Sequence, residues 1–191
     1  MNITVLGATG MAGAAIAQEA TRRGHHVTAV SRNPQETNDP HTTVTRLDLT
    51  DLEAPLQPVL NDADAVVLAV RMAPGDESRV APLTSRVLDH AAVAGVRVLV
   101  VGGAAPLRSP HDRELLVLDD PAFVPTQWRD VALASLDQFN ACTEHPNQNW
   151  IYLSPSAVFE PGQGTGAYRR SGDTLLINHD GTSRILSLIH I

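Results

Sequence analysis

The stretch Leu6-Gly7-Ala8-Thr9-Gly10-Met11-Ala12-Gly13 decides how this chain folds. Before it, Asn2 to Leu6 carries Ile3, Val5 and Leu6 in a short apolar run, the pattern of a buried strand, and Gly7 stops that run. After it, Met11 to Arg23 places Met11, Ala15, Ile16 and Ala20 near one helical face. Gly24 stands where a helix-terminating glycine belongs. A glycine turn between a strand and a helix has a physical use. Gly7 lets the chain turn sharply, Gly10 lets the backbone approach a ligand with no Cβ in the way, and Gly13 lets the helix pack closely on the strand. Free amides and the helix dipole then favour an anion such as a pyrophosphate. The competing reading is a tight turn with no ligand. Three spaced glycines in an N-terminal strand–helix unit favour dinucleotide binding.

The rest of the chain continues the alternation. His26 to Ser31 reads as a second strand and Val44 to Leu49 as a third, with a polar stretch between them. Leu52 to Leu60 reads as a short helix, against which Pro55 and Pro58 argue. Ala63 to Val70 is an uninterrupted apolar run and so a central strand. Ser78 to Ala94 suits a helix with Val80, Leu83, Val87, Leu88 and Ala91 as its buried stripe. Val96 to Val101 is another strand, followed by Gly102-Gly103. Thr126 to Thr143 reads as a helix with Thr126 as N-cap, and Trp150 to Leu153 as the sixth strand. Two strand-like pieces follow, near Thr174 to Ile177 and Ser183 to Leu188. Alternating strands and helices with apolar, parallel-type strands predict an α/β fold: a Rossmann-type, doubly wound, mostly parallel sheet in three layers and one domain.

Composition narrows the chemistry. With 191 residues the chain is long enough for one sizeable core, and with only 4% aromatic residues that core must be built from Ala, Val and Leu. A net charge of -7 without a basic block argues against nucleic acid as a partner. All 14 cationic residues are Arg. The absence of Lys excludes a lysine Schiff base and a Walker-type phosphate loop. The single cysteine, Cys142, excludes an intrachain disulfide, and the eight His residues form no metal-ligand spacing. No Gly-x-Ser-x-Gly elbow supports a hydrolase. Residues 1–6 enter a strand with no signal region, and no apolar run is long enough to span a bilayer. The expectation is a soluble, cytoplasmic monomer or homodimer that acts on a small molecule.

The end of the second strand selects the cofactor in such folds. An acid there takes the ribose 2′-hydroxyl of NAD, and an Arg nearby suits the 2′-phosphate of NADP. Here the chain reads Ser31-Arg32-Asn33-Pro34, with no acid and with Arg32 offering a planar charged fork. NADP(H) is therefore favoured over NAD(H). Asp48, near the end of the third strand, either accepts from the adenine amine or serves as a cap or turn acid.

Four motifs carry a resemblance: Gly7 to Gly13, Ser31 to Pro34, Val100-Val101-Gly102-Gly103-Ala104, and residues 154–169. On them the chain resembles the NAD(P)H-binding, NmrA-like atypical short-chain dehydrogenase/reductase family, and is similar to small proteins of the biliverdin IXβ/flavin reductase type. The resemblance implies that Gly7, Thr9, Gly10, Met11 and Gly13 form the pyrophosphate turn. Arg32 would hold the 2′-phosphate, and Asp48 and Leu49 the adenine. Ala69, Val70, Arg71, Gly102 and Gly103 would line the ribose and nicotinamide, Leu153, Ser154, Pro155 and Ser156 would flank the nicotinamide, and the loop from Val158 to Tyr168 would cover a substrate. The chain departs from the family's Tyr-x-x-x-Lys pair, since it has no Lys, and the usual Ser after the fifth strand is Gly102 or Gly103. Tyr168, Ser156 and Arg71 are the candidate catalytic groups. Each also has a plain reading: loop packing, a turn cap and a solvated cation.

The implied function is NADPH-dependent reduction of a small conjugated acceptor, flavin- or quinone-like. The alternative is a non-catalytic NmrA-like redox sensor; an epimerase would need the absent Tyr and Lys. The resemblance also implies a helix and a strand after Gly181 to Ile185, where this chain has Leu186-Ser187-Leu188-Ile189-His190-Ile191. That hexapeptide is a translation of CTGTCTCTTATACACATC, a transposase end used in sequencing-library adapters. Residues 1–185 are therefore read as the NAD(P)-binding domain and 186–191 as a doubtful tail.

Overall fold

A computed structural model describes residues 1–51, 53–162 and 168–185. The elements are β1 (Asn2–Leu6), α1 (Met11–Arg22), β2 (His26–Ser31), β3 (Thr42–Arg46), α2 (Gln57–Leu60), β4 (Ala65–Leu68), α3 (Val80–Ala94), β5 (Arg97–Val101), α4 (Arg129–Glu144), β6 (Trp150–Leu153), β7 (Val158–Phe159) and β8 (Arg184–Ile185). Six strands form one sheet in the order β3-β2-β1-β4-β5-β6, and every pairing in it is parallel. The order reverses between β1 and β4, and in an open α/β sheet ligands bind at the C-terminal strand ends beside that reversal. β7 and β8 form a separate parallel pair.

Alternation along β1 shows why both sheet faces are covered. Leu6 packs into the larger core with Val30, Leu68, Val98 and Val100 under Leu83, Val87, Leu88 and Ala91 of α3 and Cys142 of α4. Val5 faces the other way, into a smaller core with Val27 and Val67 under Ala20, Ile16 and Ala17 of α1. The strands are buried on both sides, as parallel strands require. At the far edge of the sheet, Ile151 of β6 is 51% exposed.

The structure moves several predicted boundaries. β3 occupies Thr42–Arg46 rather than 44–49, because its ladder partner β2 ends at Ser31, opposite Arg46. Leu47 and Leu49 stay buried although they lie outside the ladder. The helix expected over 52–60 shrinks to Gln57–Leu60 with a proline at its start, and Leu52 lies outside the described residues. Thr126 does not cap α4: residues Thr126–Trp128 form a 3₁₀ turn, and the helix begins at Arg129. Thr174 to Ile177 is not a strand; Thr174 makes one isolated bridge to Arg108. Of the piece near 183–188, Arg184–Ile185 pair with β7 and residues 186–191 lie outside the described residues.

Candidate dinucleotide site

The glycine turn sits at the C-terminal end of β1, beside the reversal of strand order. Gly7 N–H and Ala8 N–H both donate to the Val30 carbonyl, at 2.9 and 3.0 Å, and Gly10 N–H donates to the Gly7 carbonyl at 3.0 Å. The three glycines have different reasons. Gly7 has φ +90°, a conformation that side chains disfavour, and a Cβ there would overlap the Ala69 carbonyl. A Cβ on Gly13 would overlap the Gly7 carbonyl and push α1 off β1. Gly10 differs: its Cβ would meet only the Gly7 carbonyl at 3.3 Å and the Ala69 carbonyl at 3.7 Å. The fold itself comes closer to tolerating a side chain at Gly10 than at Gly7 or Gly13, and glycine there leaves the turn open to the approach of a ligand. Gly10 is also the N-cap of α1 and makes no side-chain cap, so the first-turn amides have no side-chain partner among the described residues. Thr9, Gly10 and Met11 are exposed around them.

Beside this turn, at the end of β2, lies a cavity of about 270 Å³ lined by Ala8, Thr9, Ser31, Pro34, Gln35 and Thr37 among others. Ser31 is 5% exposed, and its Oγ has no hydrogen-bond partner among the described residues. A buried hydroxyl without a partner costs about 1–3 kcal/mol unless something completes it. Arg32, the next residue, is exposed. An uncapped helix start, a glycine left bare toward solvent and an orphan hydroxyl followed in sequence by an exposed Arg together fit the diphosphate and ribose end of a dinucleotide.

Asp48 acts as a turn acid. Its Oδ1 accepts from Thr50 Oγ1 at 2.7 Å and from Thr50 N–H at 2.9 Å. These bonds hold its carboxyl below the ordinary range against the opposing effect of burial, with lesser help from the cationic Arg32 and Arg79. Leu49 is 5% exposed with its side chain in the larger core, which leaves only its backbone for a ligand.

Ala69, Val70 and Arg71 follow β4, and Gly102 and Gly103 follow β5, so all five stand along the same sheet edge. The guanidinium of Arg71 lies over the Trp128 ring, 5.6 Å from its centroid, across the mouth between the β4 end and the start of α4. Trp128 is 52% exposed. Ser154, Pro155 and Ser156 follow β6 and are half-buried; Tyr168 is exposed. Residues 163–167, in the loop expected to cover a substrate, lie outside the described residues.

Sequence reasoning did not find Tyr152, Ser135 or Trp128. Tyr152, on β6, donates its hydroxyl proton to the Ser135 carbonyl at 2.9 Å, and Gly103 N–H reaches the same phenol oxygen at 3.4 Å. A Cβ on Gly102 would overlap the phenol. The small residue after β5 is therefore matched by a large one on β6. The pair Gly102-Gly103 was the available signal, since adjacent glycines after a central strand invite a close neighbour. The long loop from Ala104 to Pro125 is organised by Asp120, which accepts from Ser109 Oγ at 2.6 Å and from Ala122 N–H at 2.9 Å and lies 3.1 Å from His111 Nδ1. Burial acts to raise the Asp120 carboxyl, but these bonds outweigh it and hold it low. A larger cavity of about 360 Å³ lies near the C-terminal ends of α3 and α4, beside Asp89, His145 and Asn149, away from the glycine turn.

Among the described residues no group of three or more His, Cys, Asp or Glu side chains could hold a metal ion. No helix of the described residues is long and apolar enough to cross a membrane.

Comparison with known proteins agrees with this geometry. The NAD(P)H-binding family matches residues 7–185. The protein YwnB of Bacillus subtilis (strain 168) is 32% identical over 187 residues, covering 97% of this chain and 86% of YwnB. A solved structure of a "putative NADH-flavin reductase" from Streptococcus pneumoniae TIGR4 is 30% identical, with a TM-score of 0.81, over 100% of this chain and 88% of that one. A "putative epimerase" from Bacteroides thetaiotaomicron is 30% identical with a TM-score of 0.85, over 99% and 85%. A "putative exported protein" from Burkholderia pseudomallei is 33% identical with a TM-score of 0.85, over 100% and 88%. The chain belongs to the NAD(P)H-binding family, among its NmrA-like Rossmann proteins.

Proposed function

We propose that this chain is an NADPH-dependent reductase of a small conjugated acceptor, flavin- or quinone-like. The observation that carries the cofactor preference is the end of β2. There a buried Ser31 hydroxyl, without a partner among the described residues, borders an open cavity beside the uncapped start of α1, and the next residue, Arg32, is exposed. An acid at this point would repel a 2′-phosphate, and none is present. The likeness to a protein named for NADH-flavin reduction supports the reaction class.

In this reading Thr9, Gly10 and Met11 hold the pyrophosphate, with Gly7 and Gly13 shaping the turn. Ser31 and Arg32 take the 2′-phosphate. Asp48 and the backbone of Leu49 border the adenine. Ala69, Val70, Arg71, Gly102, Gly103, Ser154 and Pro155 border the ribose and nicotinamide. When bound, the dinucleotide supplies a hydride; the chain binds, orients and excludes water. The Arg71–Trp128 pair gives the mouth an aromatic wall and a cation, suited to a flat electron-poor ring. Tyr168 and Ser156 are the further polar candidates for catalysis. A cytoplasmic setting belongs to the same reading and is supported by the single, free and buried Cys142.

The second reading, a dinucleotide sensor without catalysis, draws support from the missing Tyr-x-x-x-Lys pair. Oxidation of NADPH in the presence of FMN or menadione separates the two. Turnover many times the protein concentration is expected, and binding of NADPH without turnover would favour the sensor.

A further inference from the structure

Where β5 ends, Gly103 admits a side chain from the helix above it. A Cβ on Gly103 would lie 2.6 Å from Ser135 Oγ, so the α4 hydroxyl occupies the space that a side chain on the strand would fill. Ser135 is half-buried, neither sealed in the core nor free in solvent. α4 runs back along the sheet, so its first turns stand over the C-terminal strand edge, where Arg71 and Trp128 also meet. Thr143, the other hydroxyl of α4, lies at the opposite end and donates to the Asn140 carbonyl at 3.0 Å.

Tyr152 fixes this arrangement. Its proton is committed to the Ser135 carbonyl at 2.9 Å, and burial raises the phenol pKa, so it stays protonated and unavailable as an acid. Its ring is held edge-on to Phe139, one helical turn beyond Ser135, at 5.2 Å. The two hydroxyl oxygens are 3.4 Å apart, longer than an ordinary O–H···O bond, so with the Tyr152 proton committed elsewhere Ser135 donates to the phenol oxygen only weakly, a contact that a better acceptor can replace.

We propose that Ser135 is a catalytic residue whose hydroxyl donates a hydrogen bond to the atom of the acceptor that becomes negative as hydride arrives, with Tyr152 as its positioning residue. The proposal rests on the reductase reading. The acceptor gains the hydride with its electron pair, the NADPH of that reading is oxidised to NADP⁺, and the resulting anion takes its proton from water. Ser135 neither gains nor loses a proton overall; it stabilises charge where charge develops.

The test compares Ser135→Ala, Tyr152→Phe and the double variant with the wild type. The readouts are NADPH affinity, thermal midpoint, kcat for FMN reduction, and FMN affinity of the NADP⁺-loaded protein by quenching of flavin emission. Ser135→Ala is expected to lower kcat at least tenfold with NADPH affinity within twofold and the thermal midpoint unchanged. Tyr152→Phe lowers kcat less, and adds little once Ser135 is Ala. Wild-type turnover by Ser135→Ala overturns the proposal, as does a fall in rate that merely follows a fall in folding or in NADPH affinity. If the wild type binds NADPH but reduces no FMN, the reductase reading fails separately, and Ser135 is then judged on FMN binding. At least threefold weaker binding in Ser135→Ala supports the contact. Unchanged affinity, or no FMN binding by the wild type, overturns it.

Discussion

Glycine does three different things within seven residues, and substitution separates them. Gly13→Ala forces a methyl group into the Gly7 carbonyl, where nothing flexible can give way. The expected loss is about 1–3 kcal/mol of stability, read from urea unfolding. Gly10→Ala meets only a 3.3 Å contact at an ordinary φ of −73°, and it also stiffens the unfolded chain. Its stability should stay within about 1 kcal/mol of wild type while NADPH affinity falls at least tenfold. A Gly10→Ala variant that binds as well as wild type would remove the argument that a ligand approaches this turn. The packing roles of Gly7 and Gly13 were legible in the sequence because each follows from spacing between a strand and a helix. The orphan hydroxyl of Ser31 was not, since burial without a partner depends on what α1 and the segment after β2 leave open.

At the scale of elements, α1 carries a titratable anchor. Glu19 accepts from Arg22 Nε and Nη2 and from Arg23 Nε, each at 2.7 Å. These hydrogen bonds bring its pKa down from 4.5 to about 2. A carboxyl with a lowered folded-state pKa adds stability that is fully present above its unfolded value and is lost as pH falls through the folded one. The Glu19 contribution is thus complete above about pH 4.5 and disappears toward pH 2. The thermal midpoints of wild type and Glu19→Gln should converge over that interval, and a constant gap down to pH 2 would contradict the assignment. Apolar periodicity revealed the existence and order of the sheet's strands and of α1 and α3, because each buries a regular face. It misjudged β3, whose end is set by where β2 stops, and the α4 start, where a 3₁₀ turn precedes the helix. The Ala104 to Pro125 loop was opaque because Asp120, Ser109 and His111 bind one another through polar contacts with no period.

For the whole molecule, the parallel order β3-β2-β1-β4-β5-β6 gathers the glycine turn, the β2 end, the β4 and β5 ends and the start of α4 on one edge. A single dinucleotide laid along that edge would connect the cavity beside Ser31 to the Arg71–Trp128 mouth. The alternation of elements foretold the parallel sheet, and the family resemblance implied that the cofactor lies along these strand ends. Neither foretold that Trp128 would cross to Arg71, because the loop before α4 sets that approach. The most direct test of the central claim is titration of NADPH and NADH into the wild type and Arg32→Ala, followed by tryptophan emission. Trp128 stands exposed at the mouth and is the reporter there. The account predicts tighter binding of NADPH than of NADH, and a loss of about 10–100-fold in NADPH affinity alone in Arg32→Ala, the magnitude of one charged hydrogen bond. Equal affinities for the two dinucleotides, or an Arg32→Ala variant that binds NADPH as tightly as the wild type, would contradict it.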